Sequence, residues 1–253
     1  MNGTTPSTVK SAMRTIDIIE YVVARPAGVV AQEIAAGLAI PVSSLSYLLA
    51  TLVERDYLAR DGRRYLPGGA LERLAAPRGS LSLADKVRPL VKSLRLQTNE
   101  TASFFTRDGW QLEAIVTETA EQSLRYSISV GTRSPIHCLA AGKALLAAMP
   151  DAELDAYFAA TALSAFTPGS ITNEAALRAE LSEVRATGIG RTREEYTPGI
   201  CGLGMAVVMD GAAVGAFAVA IPMPRFSAEL EARTIAKLKQ AVGLFAAAEA
   251  PAP

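Results

Sequence analysis

The feature that most constrains this chain is a change of hydrophobic period near Asp56. Before it, apolar residues recur at three- and four-residue steps; after it, "YLARDGRRYLP" reads as two short strands around Asp61-Gly62. Asp-Gly signals a tight hairpin, because the turn needs positive φ, which Gly and Asp tolerate. Upstream, "SAMRTIDIIEYVVAR" puts Met13, Ile16, Ile19 and Val23 on one helical face, with Ser11 as the expected N-cap. "VVAQEIAAGLAI" is expected to form a short second helix ending near Gly37 to Ile40. Pro41 opens a third, where its missing N–H costs nothing, and Leu45, Leu48, Leu49 and Leu52 make one stripe of it. Three helices and then a hairpin outline a winged helix-turn-helix.

The polar side of that third helix carries Ser43, Ser44, Ser46 and Tyr47. In a helix-turn-helix the outer N-terminal turn of this helix enters the major groove. Short hydrogen-bonding side chains suit base edges and phosphates there. Arg60, Arg63 and Arg64 lie on the hairpin, where a wing would touch flanking backbone; Lys10 and Arg14 could hold phosphates from the first helix. Serines at a helix start are by themselves ordinary caps. The DNA reading rests on their combination with a preceding short helix, a leucine stripe and an arginine-flanked turn. It does not rest on bulk charge, since Lys plus Arg and Asp plus Glu number 25 each. Residues 1–75 hold eight basic and seven acidic side chains and the remainder seventeen and eighteen, so neither part advertises nucleic acid.

"APRGSLSL", residues 75 to 82, reads as a linker, and a helix striped by Leu83, Val87, Leu90, Val91 and Leu94 follows. Then come strand-like stretches: "TASFFT", the turn "RDG", "WQLEAIV" and "LRYSISV". "HCLAAGKALLAAM", "DAELDAYFAA" and "NEAALRAELSEVRATG" read as helices, the last capped by Asn173 and ended by Gly188. "IGRTREEY" is an expected strand leading to the loop "TPGICGLG". "MAVVMDGAAVGAFAVAIP" is broken by Asp210-Gly211, so it reads as two strands rather than a membrane span. A final helix is expected from about Ser227 to Ala248. The class is α+β, an antiparallel sheet with helices on its faces. The expected division is 8–75 for the winged helix, 76–98 for a linker and linker helix, and 99–250 for the sheet domain.

Two cysteines, Cys138 and Cys201, and one histidine, His137, are too few for a zinc ligand set or a disulfide framework. No metal or cofactor is expected, and the thiols should be reduced. "MNGTTPSTVK" lacks the apolar core of a signal peptide, so a soluble cytoplasmic protein with no membrane partner is expected.

The segments "SAMRTIDIIEYV" and "EIAAGLAIPVSSLSYLLATLVERDYLARDGRRYLPG", with "GTRSPIHCLAAGKALLA", "ITNEAALRAELSEVRATGIG" and "EEYTPGICGLGMAV", resemble the IclR family of bacterial transcription regulators over nearly the whole chain. The resemblance implies a winged-helix DNA-binding domain, a linker helix and a GAF-like effector-binding domain. It also implies homodimers through the DNA-binding domains, often paired as dimers of dimers, and a small metabolite that tunes operator binding. Repression of a nearby catabolic operon is implied somewhat more than activation. One wall of the family's effector cleft maps to Ile136, His137, Cys138, Leu139, Ala140, Ala141 and Gly142. A second maps to the loop after "EEY", where the family's cysteine position is Gly202 and Cys201 stands one residue earlier. The serines that face the cleft in small-acid-binding members map to Ala218 and Ala220.

With those hydroxyls missing, the residues themselves suggest a more apolar cleft. Phe104, Trp110, Met205, Phe217 and Ala220 are candidate lining; Arg125 or Arg133, Thr192 and backbone N–H groups around Gly199 to Gly204 are candidate polar contacts. An aromatic or hydrophobic acid is therefore the expected effector. Three other chemistries compete. Cys201 beside the glycine-rich "PGICGLG" could act as a nucleophile with His137 in a GAF-like enzyme. Cys138 and Cys201 could sense redox state. Glu194-Glu195 could pair as carboxylates, although a solvated strand end or a bridge to Arg191 or Arg193 suits them better. No fixed-spacing motif supports catalysis, so a regulator is expected and an enzyme is not.

Overall fold

The computed structural model describes residues 9–75 and 81–249. Most of the expected linker, residues 76–80, lies outside the described residues. The chain divides into two compact units, Met1–Leu81 and Ser82–Pro253.

In the first unit, α1 (Lys10–Val23), β1 (Val29–Val30), α2 (Ala31–Leu38), α3 (Val42–Glu54), β2 (Leu58–Asp61), β3 (Arg64–Pro67) and α4 (Gly69–Ala75) follow in order. The strands form an antiparallel sheet in the order β1-β3-β2. Asp61 pairs with Arg64, so the hairpin turns on Gly62 and Arg63, with Gly62 at φ 56°. α2 starts at a backbone N–H of Val30 that donates to Glu33 Oε2 at 2.9 Å. It ends on Ala39, which is left-handed at φ 50°. The chain then bends through 118° into α3, within the range of helix-turn-helix crossings. Ile18, Val22, Ile34, Leu45, Leu49, Leu52 and Leu58 close one core beneath these helices and the hairpin.

Two expectations for α1 are corrected. Ser11 lies inside the helix rather than at its cap, which is Val9 and makes no side-chain cap bond. The buried face runs through Ile18 and Val22, while Met13, Ile16 and Val23 are exposed. A stripe read from spacing alone can settle on either of two apolar faces when a helix carries both. The sequence also gave no warning of α4, whose Arg73 pairs with Asp56 at 2.9 Å.

The second unit opens with α5 (Leu83–Thr98), N-capped by Ser82, whose hydroxyl accepts from the Asp85 N–H at 3.2 Å. Next come β4 (Thr101–Asp108), β5 (Gln111–Glu118), β6 (Arg133–Pro135), a 3-10 turn (Ile136–Cys138), α6 (Ala140–Ala148), α7 (Asp151–Ala160) and α8 (Glu174–Thr187). β7 (Gly190–Arg193), β8 (Ile200–Met209), β9 (Ala212–Pro222), a second 3-10 turn (Met223–Arg225) and α9 (Ala228–Glu249) complete it. The six strands form one antiparallel sheet, β6-β5-β4-β9-β8-β7. Asp210 and Gly211, both at positive φ, turn β8 into β9 as the hairpin signal predicts. "LRYSISV" is not a strand; residues 124–130 cross without sheet pairing, and the short β6 takes the edge instead.

Side chains alternate across this sheet. One face, with Phe104, Leu203, Phe217, Val219 and Ile221, packs under α5 and α9 through Val87, Val91, Leu94, Leu238 and Phe245. The other, with Phe105, Leu112, Ala114 and Ala216, packs under α6, α7 and α8 through Leu145, Leu146, Tyr157, Leu177 and Leu181. The expected linker helix is therefore part of this unit's core. Lys86 of α5 also pairs with Glu249 of α9 at 2.6 Å.

Candidate functional site: an exposed helix face and a cleft

On the first unit, the outer face of α3 presents Ser43, Ser46 and Tyr47 to solvent, with Ser44 half-buried. Tyr47 is 80% exposed. The Ser46 hydroxyl donates to the Val42 carbonyl at 2.9 Å. That leaves its lone pairs to accept, and it shortens the reach of the side chain. The wing carries its three arginines on exposed positions, but in different states. Arg60 donates to the Gly62 carbonyl at 3.0 Å. Arg64 donates to the Gly28 carbonyl at 2.7 Å, which ties the wing to the turn before β1. Arg63 stands at the turn itself. Lys10 is exposed and Arg14 half-buried, one helical turn apart on α1.

On the second unit, a partly open cleft lies on the α6 face of the sheet. Its floor is Ala218 and Ala220 of β9, Gly202 of β8 and Thr192 of β7; Leu139, Ala140 and Ala141 at the start of α6 form one wall. Strand pairing adds residues that the sequence reading missed. Ser103 lies opposite Ala218, and Thr101 opposite Ala220, so both face the cleft with Phe105. Tyr126, Tyr196, Thr197 and Ile200 close it from the loops. The signal for Thr101 and Ser103 was their alternation with Phe104, but only the β4–β9 register says which phase faces the cleft.

Glycines make the α6 wall possible. A Cβ at Gly190 would come within 2.2 Å of the Ala140 carbonyl oxygen, and one at Gly204 within 2.6 Å of the Ala140 carbonyl carbon. The first turn of α6 thus lies flush on β7 and β8. Its early N–H groups lack helical acceptors, since the first α-helical bond is Lys143 N–H to the Leu139 carbonyl at 2.9 Å.

Several expected effector contacts are corrected. Phe104 and Phe217 meet edge to face at 4.7 Å on the opposite side of the sheet; one residue of phase separates them from the cleft. Met205 packs on that same opposite face. Trp110 lies against Tyr157 at 5.4 Å, away from the lining. Arg125 donates to the Gln122 carbonyl at 2.9 Å, and Arg133 pairs with Asp108 at 2.5 Å. His137 meets the Ser164 carbonyl at 3.1 Å, and burial holds its pKa below the ordinary value. Cys201 turns to the other face, its thiol 3.0 Å from the Met223 sulfur. Ile136 and Gly142 are packed beneath the wall rather than within it: a Gly142 Cβ would strike the Ile136 carbonyl. Of the expected residues, Cys138, Leu139, Ala140, Ala141, Thr192, Gly202, Ala218 and Ala220 come together at the cleft.

The acidic pair is also corrected. Glu194 is left-handed, and its Oε1 accepts from the Gly199 N–H at 2.7 Å. Glu195 is buried and bridges to Lys143, Nζ to Oε1 2.6 Å. Lys143 is itself wholly buried and also paired with Glu180. Burial raises the Glu195 pKa, and Lys143 opposes the rise. Neither thiol suits nucleophilic or redox chemistry. Cys138 and Cys201 are both 1% exposed. Burial pushes the Cys138 thiol up to about 11 and raises that of Cys201 as well. His137 and Cys201 each have another partner, so no nucleophile–base pair forms. Among the described residues, no cluster of three or more His, Cys, Asp or Glu is arranged to hold a metal ion. No single helix there is long and apolar enough to cross a membrane.

Comparison with known proteins agrees with this division of labour. Residues 11–62 match the IclR helix-turn-helix domain, and residues 78–244 match the bacterial transcriptional regulator IclR C-terminal domain. The HTH-type transcriptional regulator Rv1719 of Mycobacterium tuberculosis is 32% identical over 213 residues, covering 83% of this chain and 81% of that protein. The HTH-type transcriptional repressor AllR of Klebsiella pneumoniae is 28% identical over 253 residues, covering 94% and 93%. The crystal structure of the Thermotoga maritima IclR shares the fold, with a TM-score of 0.64 at 24% identity over 94% of this chain and 98% of that one. These families and relatives are DNA-binding regulators of transcription rather than enzymes. The chain belongs to the IclR family of bacterial transcriptional regulators.

Proposed function

We propose that this regulator is a repressor of a catabolic operon, released or tightened on its operator by a small organic acid with an apolar or aromatic body. The observation that carries the DNA half is the outward turn of α3, where Ser43, Ser46 and Tyr47 stand on one exposed face. Ser44 lies at its margin, and the arginine hairpin supplies phosphate contacts. Lys10 and Arg14 add contacts from α1. A homodimer places two such helices in successive major grooves, about one helical turn apart. The exposed apolar residues Val9 at the N-cap and Met13, Ile16 and Val23 on α1 support pairing through this unit, and pairs of dimers extend it. The repressor sense follows the similarity to AllR, and the site of action is the cytoplasm, where the operator lies.

The effector half rests on the cleft. Its floor is Ala218, Ala220 and Gly202, and none of its lining residues is Lys or Arg. A carboxylate is held instead by N–H groups at the start of α6, with the helix dipole behind them. The apolar body lies over the small floor residues, with Thr192, Cys138 and Leu139 beside it. The effector acts by its difference in affinity between two arrangements of the dimer.

The test of the DNA half uses the duplex upstream of the gene that encodes this chain. Wild type gives a sequence-selective, salt-sensitive shift. Arg63→Ala removes an arginine at the wing turn whose side chain makes no hydrogen bond or ion pair among the described residues; it lowers the log–log salt slope by about 1 and weakens all sequences alike. An unchanged slope rejects the wing, and no selective shift rejects the operator reading.

A further inference from the structure

Glu195 is the one charged side chain in the cleft lining. It is 6% exposed. Its Oε1 is taken by Lys143, whereas Oε2 has no hydrogen-bond partner among the described residues. A buried carboxylate oxygen without a donor is costly, more so than a neutral acceptor. Glu195 lines this cleft and also a second pocket that it shares with Glu180, Arg191 and Arg193; from the cleft side the missing donor can come from the ligand.

Charge narrows what that donor is. Lys143, Glu180 and Glu195 together carry one net negative charge, so a second anion at Oε2 is repelled. A full cation there would stand close to the Lys143 ammonium, which lies 2.6 Å from the sister oxygen. A neutral O–H meets neither objection. Two of the hydroxyls already lining the cleft are committed elsewhere: Ser103 shares a hydrogen bond of 3.0 Å with Thr117, and Thr101 donates to the Tyr126 carbonyl at 2.6 Å.

Resting on the reading that the effector occupies this cleft, we infer that the effector is a hydroxylated acid whose neutral hydroxyl donates to Glu195 Oε2. A ligand lacking that hydroxyl leaves the oxygen unpartnered, which is the condition under which a polar site discriminates most strongly. An O-methyl ether fails in the same way and adds bulk.

The experiment is calorimetric titration of the full-length protein with benzoate, its three monohydroxy isomers and the three matching methoxybenzoates. At least one hydroxy isomer is expected to bind roughly tenfold or more tighter than benzoate, with its methyl ether losing that gain. In Glu195→Gln the amide oxygen turns to Lys143 and the NH2 takes the place of Oε2. The ligand hydroxyl then accepts from a neutral amide instead of donating to a carboxylate, so its gain over benzoate falls several-fold. Equal binding of benzoate and every hydroxy isomer by wild type overturns the inference without any variant. So does a preference of undiminished size in Glu195→Gln. Ala218→Phe fills the floor and separates this from the underlying reading. Benzoate binding that Ala218→Phe removes, with no hydroxyl preference, overturns the Glu195 inference alone. Binding that persists in Ala218→Phe, or no binding by any member, overturns the cleft reading with it.

Discussion

Tyr47 concentrates the DNA argument into one side chain. It makes no core contact and is exposed on the face that would meet DNA, so truncation should spare the fold. Tyr47→Ala is expected to change the unfolding free energy by less than about 0.5 kcal/mol while costing about 1–3 kcal/mol of operator binding. Chemical denaturation and anisotropy titration on the same preparations read the two numbers. The cysteines supply the complementary case. With its thiol pushed up to about 11 by burial, Cys138 is almost wholly protonated at neutral pH. Native protein should therefore react with iodoacetamide far more slowly than urea-unfolded protein. Because only thiolate reacts, the native rate of Cys138 should climb roughly tenfold per pH unit toward that pKa. Mass spectrometry of the labelled peptides checks this. Rapid labelling at pH 7 would restore the thiol-sensor alternative.

Among the elements, α6 has the least freedom. Its first turn touches β7 and β8 at positions that hold no side chain, and its Lys143 is buried against Glu180 and Glu195. Gly204→Val forces the helix off the sheet and should destabilise the second unit by about 1–3 kcal/mol or more. Lys143→Met strands Glu195 without its cation, a change expected to cost about 3–5 kcal/mol. Urea melts followed at Trp110, which sits in this unit, measure both. The same elements show where sequence reading runs out. The hairpin at Asp61-Gly62, the turn at Asp210-Gly211, the Asn173 cap and the Gly188 stop were legible, because each depends on local backbone chemistry. Phe104 was assigned to the cleft, and Thr101 and Ser103 were overlooked, because facing direction depends on which strand lies alongside. The Lys143–Glu195 bridge joins residues 52 apart in sequence, and no local pattern announces it.

At the scale of the whole molecule, the two units have separate cores: Ile18 to Leu58 close one, and the residues from Val87 onward close the others. Unfolding is therefore expected in two steps, with effector displacing only the step that belongs to the second unit. A ligand present at a hundred times its Kd adds about 2.7 kcal/mol, which for a unit of this size raises its Tm by roughly 5–10 °C. Differential scanning calorimetry with and without ligand reads both steps, and a single cooperative transition that moves as one would contradict the separation. The floor of the cleft bears on how such regulators diverge. The backbones of Ala218 and Ala220 are pinned on both sides, by Gly204 and Gly202 of β8 and by Ser103 and Thr101 of β4, so their methyl groups can change without disturbing the sheet. An alanine codon turns into a serine codon through one base substitution. Single mutational steps can thus turn the cleft floor from greasy to polar while the helix-turn-helix unit stays as it is.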